Sequence, residues 1–228
     1  RDVRPLLIAA LADRDEARGQ ALAAELGASA LFVPLDVVQE ESWQAAIAAS
    51  VEKFGALHGL LNAAGVGVRN SIEDCTLAEY RRINDINSLG TFLGCKHAIP
   101  AIKESGGGSI VNISSVLGLR GASYAMAYCA SKGAVRTLTK NVALHCAQQK
   151  YNIRCNSVHP GYIETPMIAP RLDTNVGNMS GRQALEELHP LGRLGRADEV
   201  AHMILFLLSD EATFSTGSEF VCDGVLTA

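Results

Sequence analysis

Tyr128-Cys-Ala-Ser-Lys132, preceded by Asn112-Ile-Ser-Ser115, sets a phenol, an ammonium and a hydroxyl where together they can handle one proton. Interconversion of an alcohol and a ketone needs that set: an acid or base at the oxygen, and a donor that stabilises charge building on it. On a helix, residues four apart share a face, so Lys132 is expected one turn above Tyr128. A cation there should draw the phenol pKa down from about 10 toward the working range of a general acid/base. Ser115 ends the apolar run Ser109-Ile-Val-Asn-Ile-Ser114, which reads as a buried strand. A strand end beside a helix turn brings both hydroxyls over one substrate oxygen, with Ser114 as the rival for the Ser115 role.

Tyrosine and lysine also fall four apart by chance in surface helices, so the pair matters through its surroundings. Further motifs follow one another in order: Leu11-Ala-Asp13-Arg14, Leu35-Asp36-Val37, Leu61-Asn62-Ala63-Ala64-Gly65, Asn87-Ser-Leu-Gly90, and Asn156-Ser-Val-His-Pro160-Gly161-Tyr-Ile163-Glu-Thr165-Pro. With Asn112-Ile-Ser-Ser115 and Tyr128-x-x-x-Lys132, the chain resembles the short-chain dehydrogenase/reductase family from about Leu11 to Ala228. Within that family it looks most like secondary-alcohol and bacterial hydroxysteroid dehydrogenases. The fold the resemblance implies is α/β: a Rossmann-type doubly wound parallel sheet with helices on both faces, spanning 1–228 as a single domain.

The elements that must position these residues alternate along the chain, as in parallel βαβ units. Helices are expected over Asp15 to Leu26 and Glu40 to Phe54, closed by Gly27 and Gly55. Thr76-x-x-Glu79 is a capping box opening a long helix toward Ile102. Tyr124 to Gln148 reads as the catalytic helix and Asp198 to Leu208 as the last. Strands are expected at Leu31 to Pro34, Leu57 to Leu61, up to Ser114, Ile153 to Val158 and Glu219 to Cys222. Gly106-Gly-Gly108 precedes a strand instead of a helix, so it is a turn and not a phosphate loop.

Composition agrees with one enzyme domain: 228 residues, 48% hydrophobic and 19% charged, suit a sheet covered on both faces. A net charge of −4 offers no basic face for nucleic acid. No apolar run reaches the roughly 18 residues that span a bilayer, and no signal segment opens these residues, so a cytoplasmic protein without a membrane partner is expected. The six cysteines, at 75, 95, 129, 146, 155 and 222, form no Cys-x-x-Cys pair and read as reduced, structural thiols. Cys95 and His97 point to different helix faces. No metal site is expected.

The resemblance implies roles for named residues. Tyr128 is the acid/base, Lys132 lowers its pKa and binds the nicotinamide ribose, and Ser115 donates to the substrate oxygen. Asn87 holds a water that links Lys132 to solvent, or else kinks its helix. Asp13 accepts from the adenosine ribose hydroxyls and so favours NAD, unless it merely starts the helix that follows; Arg14 beside it leaves room for NADP. Asp36 and Val37 meet the adenine, and Asn62, Ala63 and Gly65 line the ribose side. In the family Asn-Asn-Ala-Gly is the commoner form, so one hydrogen bond in the central sheet is expected to be lost here. Pro160, Gly161, Ile163 and Thr165 hold the carboxamide. One part of the family pattern is missing: no glycine-rich strand-to-helix turn for the pyrophosphate occurs between Arg1 and Gly27. The expectation is that the intact protein has this loop, with residues missing between Arg4 and Ala12.

The pocket candidates Val116, Leu117, Ala122, Tyr124, Tyr162 and Met167 are mostly apolar and suit a bulky or cyclic secondary alcohol or ketone, under a lid at 167–189. No fixed cation is foreseen for a carboxylate or phosphate. The ending Asp223-Gly-Val225 departs from the family's Asp-Gly-Gly. Met203-Ile-Leu-Phe-Leu-Leu208 is apolar nearly all round, which predicts a second subunit against it and a homotetramer, unless the run is wholly buried in one subunit. Two other functions are kept open: an NADP-dependent 3-ketoacyl-carrier-protein-type reductase, and a non-catalytic binding protein that lacks the cofactor loop.

Overall fold

The structure is a computed structural model, and it describes residues 9–228. Its elements run in the order β1 (Ala9–Asp13), α1 (Glu16–Leu26), β2 (Ala30–Pro34), α2 (Glu40–Phe54), β3 (Gly59–Asn62) and α3 (Leu77–Asn84). There follow α4 (Gly90–Glu104), β4 (Gly108–Ile113), α5 (Met126–Gln148), β5 (Ile153–Pro160), α6 (Ala169–Leu172), β6 (Asn175–Val176), β7 (Met179–Ser180), α7 (Gly181–Glu186), α8 (Ala197–Leu208) and β8 (Glu219–Cys222). All pairings except the short β6–β7 ribbon are parallel, which requires the helical crossovers the sequence supplies.

The strand order is β3-β4-β5-β8 in one piece and β1-β2 in another. Successive β4 residues go to opposite faces: Ile110 joins the cluster of Cys95, Ala98 and Cys146 on the α4–α5 side, and Val111 joins Val200 and Leu207 of α8 on the other. Burial on both faces is why these strands read as continuous apolar runs. The fold is therefore the Rossmann-type doubly wound α/β fold. Among the described residues no bond joins β1 to β3, and Leu61 on β3 stays 40% exposed. Most of the stretch from Arg4 to Ala12, where missing residues were expected, lies outside the described residues.

Several expected boundaries move, each for a local reason. The helix expected from Thr76 to Ile102 opens on the capping box, with Thr76 accepting from the Glu79 N–H, but a π-helical turn at Asp85–Leu89 breaks it before α4 continues to Glu104. Tyr124 stands before the catalytic helix instead of in it, because Ala125, at φ −146° and ψ 42°, is not helical and bridges to Asn70. The strand expected at Leu57 starts only at Gly59; the Leu57 N–H donates to Ser105 Oγ instead, at 2.9 Å. The lost hydrogen bond foreseen for Asn-Ala-Ala-Gly is not a break in the sheet. Asn62 Nδ2 donates to Asn112 Oδ1 at 2.8 Å, and Asn112 Nδ2 to Thr139 Oγ1 at 3.0 Å; what remains unsatisfied is the buried Asn62 Oδ1.

Candidate active site

The residues singled out for chemistry collect at the carboxyl ends of the parallel strands, the edge where open α/β sheets take their ligands. Asp13 ends β1, Asp36 follows β2, Asn62 ends β3, Ser115 follows β4, and Pro160 ends β5. Ser115 is buried and caps a short 3-10 turn. Its Oγ accepts the Leu117 N–H at 3.1 Å, which leaves the hydroxyl proton free to donate. Its carbonyl accepts from Nδ1 of the buried His159 at 3.0 Å, while His159 Nε2 accepts from the Ser157 hydroxyl at 2.8 Å. Burial lowers the His159 pKa, so a neutral ring with its proton on Nδ1 braces the Ser115 backbone. Ser114, the rival hydroxyl, is spent on packing: it donates to the Lys132 carbonyl at 2.9 Å.

Tyr128 lies within reach of Ser115, whose hydroxyl pulls the phenol pKa down, but burial dominates and leaves Tyr128 above its ordinary value. This corrects the expectation that Lys132 lowers it. The Lys132 ammonium stands 5.8 Å from the Tyr128 ring centroid and donates to the Ile113 carbonyl at 2.8 Å. Lys132 is only 4% exposed, and with no carboxylate bridged to it among the described residues burial lowers its pKa to about 8.

Asn87 sits in the π-helical turn. Its side chain accepts from the Val66 N–H at 2.8 Å and donates to the Val66 carbonyl at 2.9 Å and to Ser131 Oγ at 3.0 Å. Its own carbonyl is met by the Thr91 hydroxyl at 2.7 Å. These side-chain bonds clamp the loop after Gly65 onto the π-helical turn. A Cβ at Gly65 would come within 3.4 Å of both Asn87 Oδ1 and Lys132 Nζ, so glycine keeps that corner open.

A nicotinamide cofactor, which the motifs imply, would find partners among these residues. Lys132 has one acceptor for three N–H donors in a buried place, and a ribose diol would meet the other two. Asp13 is exposed and accepts the Asp15 N–H through one oxygen at 2.9 Å, so it helps start α1; among the described residues its second oxygen has no partner. Asp36 is likewise exposed, and among the described residues its side chain accepts the Val38 N–H alone, at 3.2 Å. Ala63 is exposed and Gly65 half-buried, whereas the Asn62 side chain points inward to Asn112 and Cys95, leaving only its backbone for a cofactor. Val37, Pro160, Gly161, Ile163 and Thr165 are half-buried along the same edge. These residues fit such a cofactor.

Over the hydroxyls, Val116, Leu117, Ala122, Tyr124 and Tyr128 form one cluster. Tyr162 joins it through a 2.7 Å bond between its hydroxyl and that of Tyr124, and Met167 approaches the Tyr128 ring across Gly67. Two features were missed by sequence reasoning. Leu226 packs on both this cluster and that of Tyr162 and Leu185. And cations are present after all: Arg69 lies 4.6 Å over the Tyr124 ring, and Arg171 lies 4.8 Å over that of Tyr162. The Gly-Val-Gly-Val-Arg69 stretch after Asn62-Ala-Ala-Gly65 was the one available signal, since it continues the crevice wall.

A family model described as enoyl-(acyl carrier protein) reductase matches residues 5–227. The chain belongs to the short-chain dehydrogenase/reductase family. It is 45% identical over 227 residues to a trans-4-hydroxycyclohexanecarboxylate dehydrogenase of Sinomonas cyclohexanicum, a match covering 96% of this chain and 82% of that one. It is 43% identical to a 3-alpha-(or 20-beta)-hydroxysteroid dehydrogenase of Mycobacterium bovis (90% and 74% covered). It is also 42% identical to a cyclohexanol dehydrogenase of Acinetobacter (89% and 77% covered). As a member of this family the chain is an oxidoreductase, and the family's dehydrogenases use nicotinamide cofactors. Among the described residues, no helix is long and apolar enough to cross a membrane, and no group of three His, Cys, Asp or Glu gathers as for a metal. Cys95 faces Asn112, and His97 instead pairs with Glu40 at 2.9 Å.

Proposed function

We propose that this protein is an NAD-dependent dehydrogenase of cyclic secondary alcohols, working reversibly with the ketones. The observation that carries the reading is the Ser115, Tyr128 and Lys132 constellation, with Ser115 and Lys132 buried and Tyr128 half-buried in an apolar and aromatic cluster. Tyr128 gives its proton to the ketone oxygen in reduction, or takes it from the alcohol in oxidation. Ser115 donates its free O–H to the same oxygen and steadies the charge that develops there. Lys132 turns its unspent N–H donors to a ribose. The bound nicotinamide supplies the hydride exchanged at the carbinol carbon. Asp13, whose second carboxylate oxygen at the end of β1 has no partner among the described residues, supports NAD over NADP because it would repel a 2′-phosphate.

The segment 167–189 serves as the lid: Leu172 of α6 and Leu185 of α7 pack in one cluster with Tyr162, and the Ser180 capping box starts α7. A homotetramer in the cytoplasm completes the reading. Its support is that Leu205 and Phe206 of α8 remain 43% and 40% exposed, beside exposed Val221 and Phe214, so the run is not wholly buried within one subunit. Phe92 of α4 and Leu144 of α5 are exposed as well, on the second helical face expected to meet a subunit. The experiment is a spectrophotometric panel of NAD and NADP against cyclohexanol, cyclopentanol and hydroxysteroids, with the ketones in reverse. Formation of NADH with ring alcohols is expected; silence with both cofactors across the panel overturns the reading.

A further inference from the structure

A guanidinium carries a fixed positive charge and five N–H donors, and an aromatic face can hold it in place without consuming those donors. Arg69, exposed, and Arg171, half-buried, are held in that way. Their guanidinium carbons lie 4.6 and 5.8 Å from the centroid of one ring, that of Tyr124, and Arg171 is also 4.8 Å from the ring of Tyr162. Among the described residues neither side chain makes an ion pair or a hydrogen bond; Arg136, Arg182, Arg193 and Arg196 hold carboxylates, and exposed arginines such as Arg81 and Arg120 lie against no tyrosine. A guanidinium stacked on a ring presents its N–H edge outward, the geometry that takes a carboxylate with two parallel bonds.

The fold holds both arginines in place. Asn70 bridges to Ala125, which brings the 67–70 segment alongside Tyr124. On the other side the Arg171 carbonyl is so close to Gly181 that a Cβ there would collide with it, which fixes α6 on α7. The Tyr162 hydroxyl bonds that of Tyr124 at 2.7 Å, and Tyr124 shares one apolar cluster with Tyr128.

We infer that Arg171, with Arg69 on the same tyrosine ring, is a carboxylate-binding subsite at the mouth of the site, so that the favoured substrates are ring alcohols bearing a carboxylate remote from the reacting hydroxyl. The inference rests on the reading of Ser115, Tyr128 and Lys132 as a ring-alcohol site. Recognition by a stacked arginine also ties the substrate to the lid, since Arg171 belongs to α6.

Calorimetric titration with 4-hydroxycyclohexanecarboxylate and with its neutral methyl ester, in the presence and absence of NAD, tests it. The wild-type protein is expected to bind the acid at least about tenfold more tightly than the ester, as charge-assisted hydrogen bonds allow. Arg171→Gln, which keeps the stem, should erase that preference while leaving ester binding within about threefold; Arg69→Gln should reduce it by a smaller factor. Equal binding of acid and ester by the wild type, or equal loss of both in Arg171→Gln, overturns the subsite and leaves the arginines as packing on the tyrosines. Weaker NAD binding in Arg171→Gln with an unchanged acid-to-ester ratio assigns the cation to the cofactor phosphates and overturns it too. Binding of neither ligand overturns both readings. An acid preference that Arg171→Gln abolishes, in a protein that turns over no ring alcohol, keeps the subsite and sinks the dehydrogenase reading alone.

Discussion

The four-stranded and two-stranded pieces of the sheet carry different halves of the site and are closed to different degrees. In β3-β4-β5-β8, both faces are covered, Asn62, Asn112 and Thr139 form a buried ladder, and Ser115, Tyr128 and Lys132 are all supported from that framework. The piece β1-β2 carries Asp13 and Asp36, and the helix packed on it, α1, buries none of its residues. Leu22 and Leu26 of α1 stay exposed, as does Leu61 on the facing edge of β3. A framework that buries its apolar surface holds atoms to a fraction of an ångström, and proton transfer needs that accuracy. The acceptors for an adenosine sit on the less closed half. Chemistry and cofactor holding are thus separable here, and each can be perturbed without the other.

The largest effect is expected from Tyr128→Phe, which removes the acid and leaves Lys132 in place. Turnover should fall by about 10²-fold or more, while NADH binding followed by fluorescence stays near the wild-type value. More than about a tenth of the activity remaining would remove Tyr128 from the mechanism.

Next is a stability effect on the closed half. The native protein releases the Lys132 proton near 8, against an ordinary 10.5. Between those values the unfolded chain holds the extra proton, so stability rises with pH across that window. Below pH 8 the full cost of the buried charge is present, roughly 3 kcal/mol. Lys132→Met should therefore be inactive yet more stable at pH 7, by about 2 kcal/mol once the lost bond to Ile113 is discounted. Urea unfolding at pH 7 and pH 10 checks the sign: the gain must shrink at the higher pH.

On the open half, Asp13→Ala should lower the NAD-to-NADP preference in kcat/KM by about tenfold, the worth of one charge-assisted contact. The melting temperature should hardly move, because the residue is exposed. An unchanged preference would leave Asp13 with only its bond to the Asp15 N–H.

The smallest effect concerns the tail. Val225 has φ 73, a left-handed conformation that a β-branched residue adopts only with strain. It is held there because Asp223 accepts the Val225 N–H at 3.0 Å and the Thr227 N–H at 2.9 Å, which seats Leu226 over the pocket. Val225→Gly, the residue the family pattern leads one to expect, should raise stability by about 1 kcal/mol and the melting temperature by about 2–4 °C, with turnover retained. Calorimetry checks it, and a lower melting temperature would show that the valine is unstrained.

Much of the framework was legible because its signals are local. Glu40–Phe54 is helical over the expected span and is closed by Gly55 in the left-handed region, and Glu219–Cys222 is the strand it was expected to be. The Thr76 capping box forms as its spacing predicts. A kink at Asn87 was one of two roles expected of that residue, but the contacts that produce the π-helical turn there were not legible. The turn is held open from outside the helix, by the Asn87 bonds to Val66 and Ser131.

By itself, then, the sequence determined the alternation of elements and the identity of Ser115, Tyr128 and Lys132, since helix period, strand period and end caps act over a few residues. Tertiary structure alone decided the signs and the neighbours. It turned Asn62 inward and raised the Tyr128 pKa by burial where a nearby cation had been expected to lower it. It also brought Arg69 and Arg171 to one tyrosine ring, from positions far apart in the chain. Burial and long-range juxtaposition depend on how the layers close, and no window of sequence contains that information.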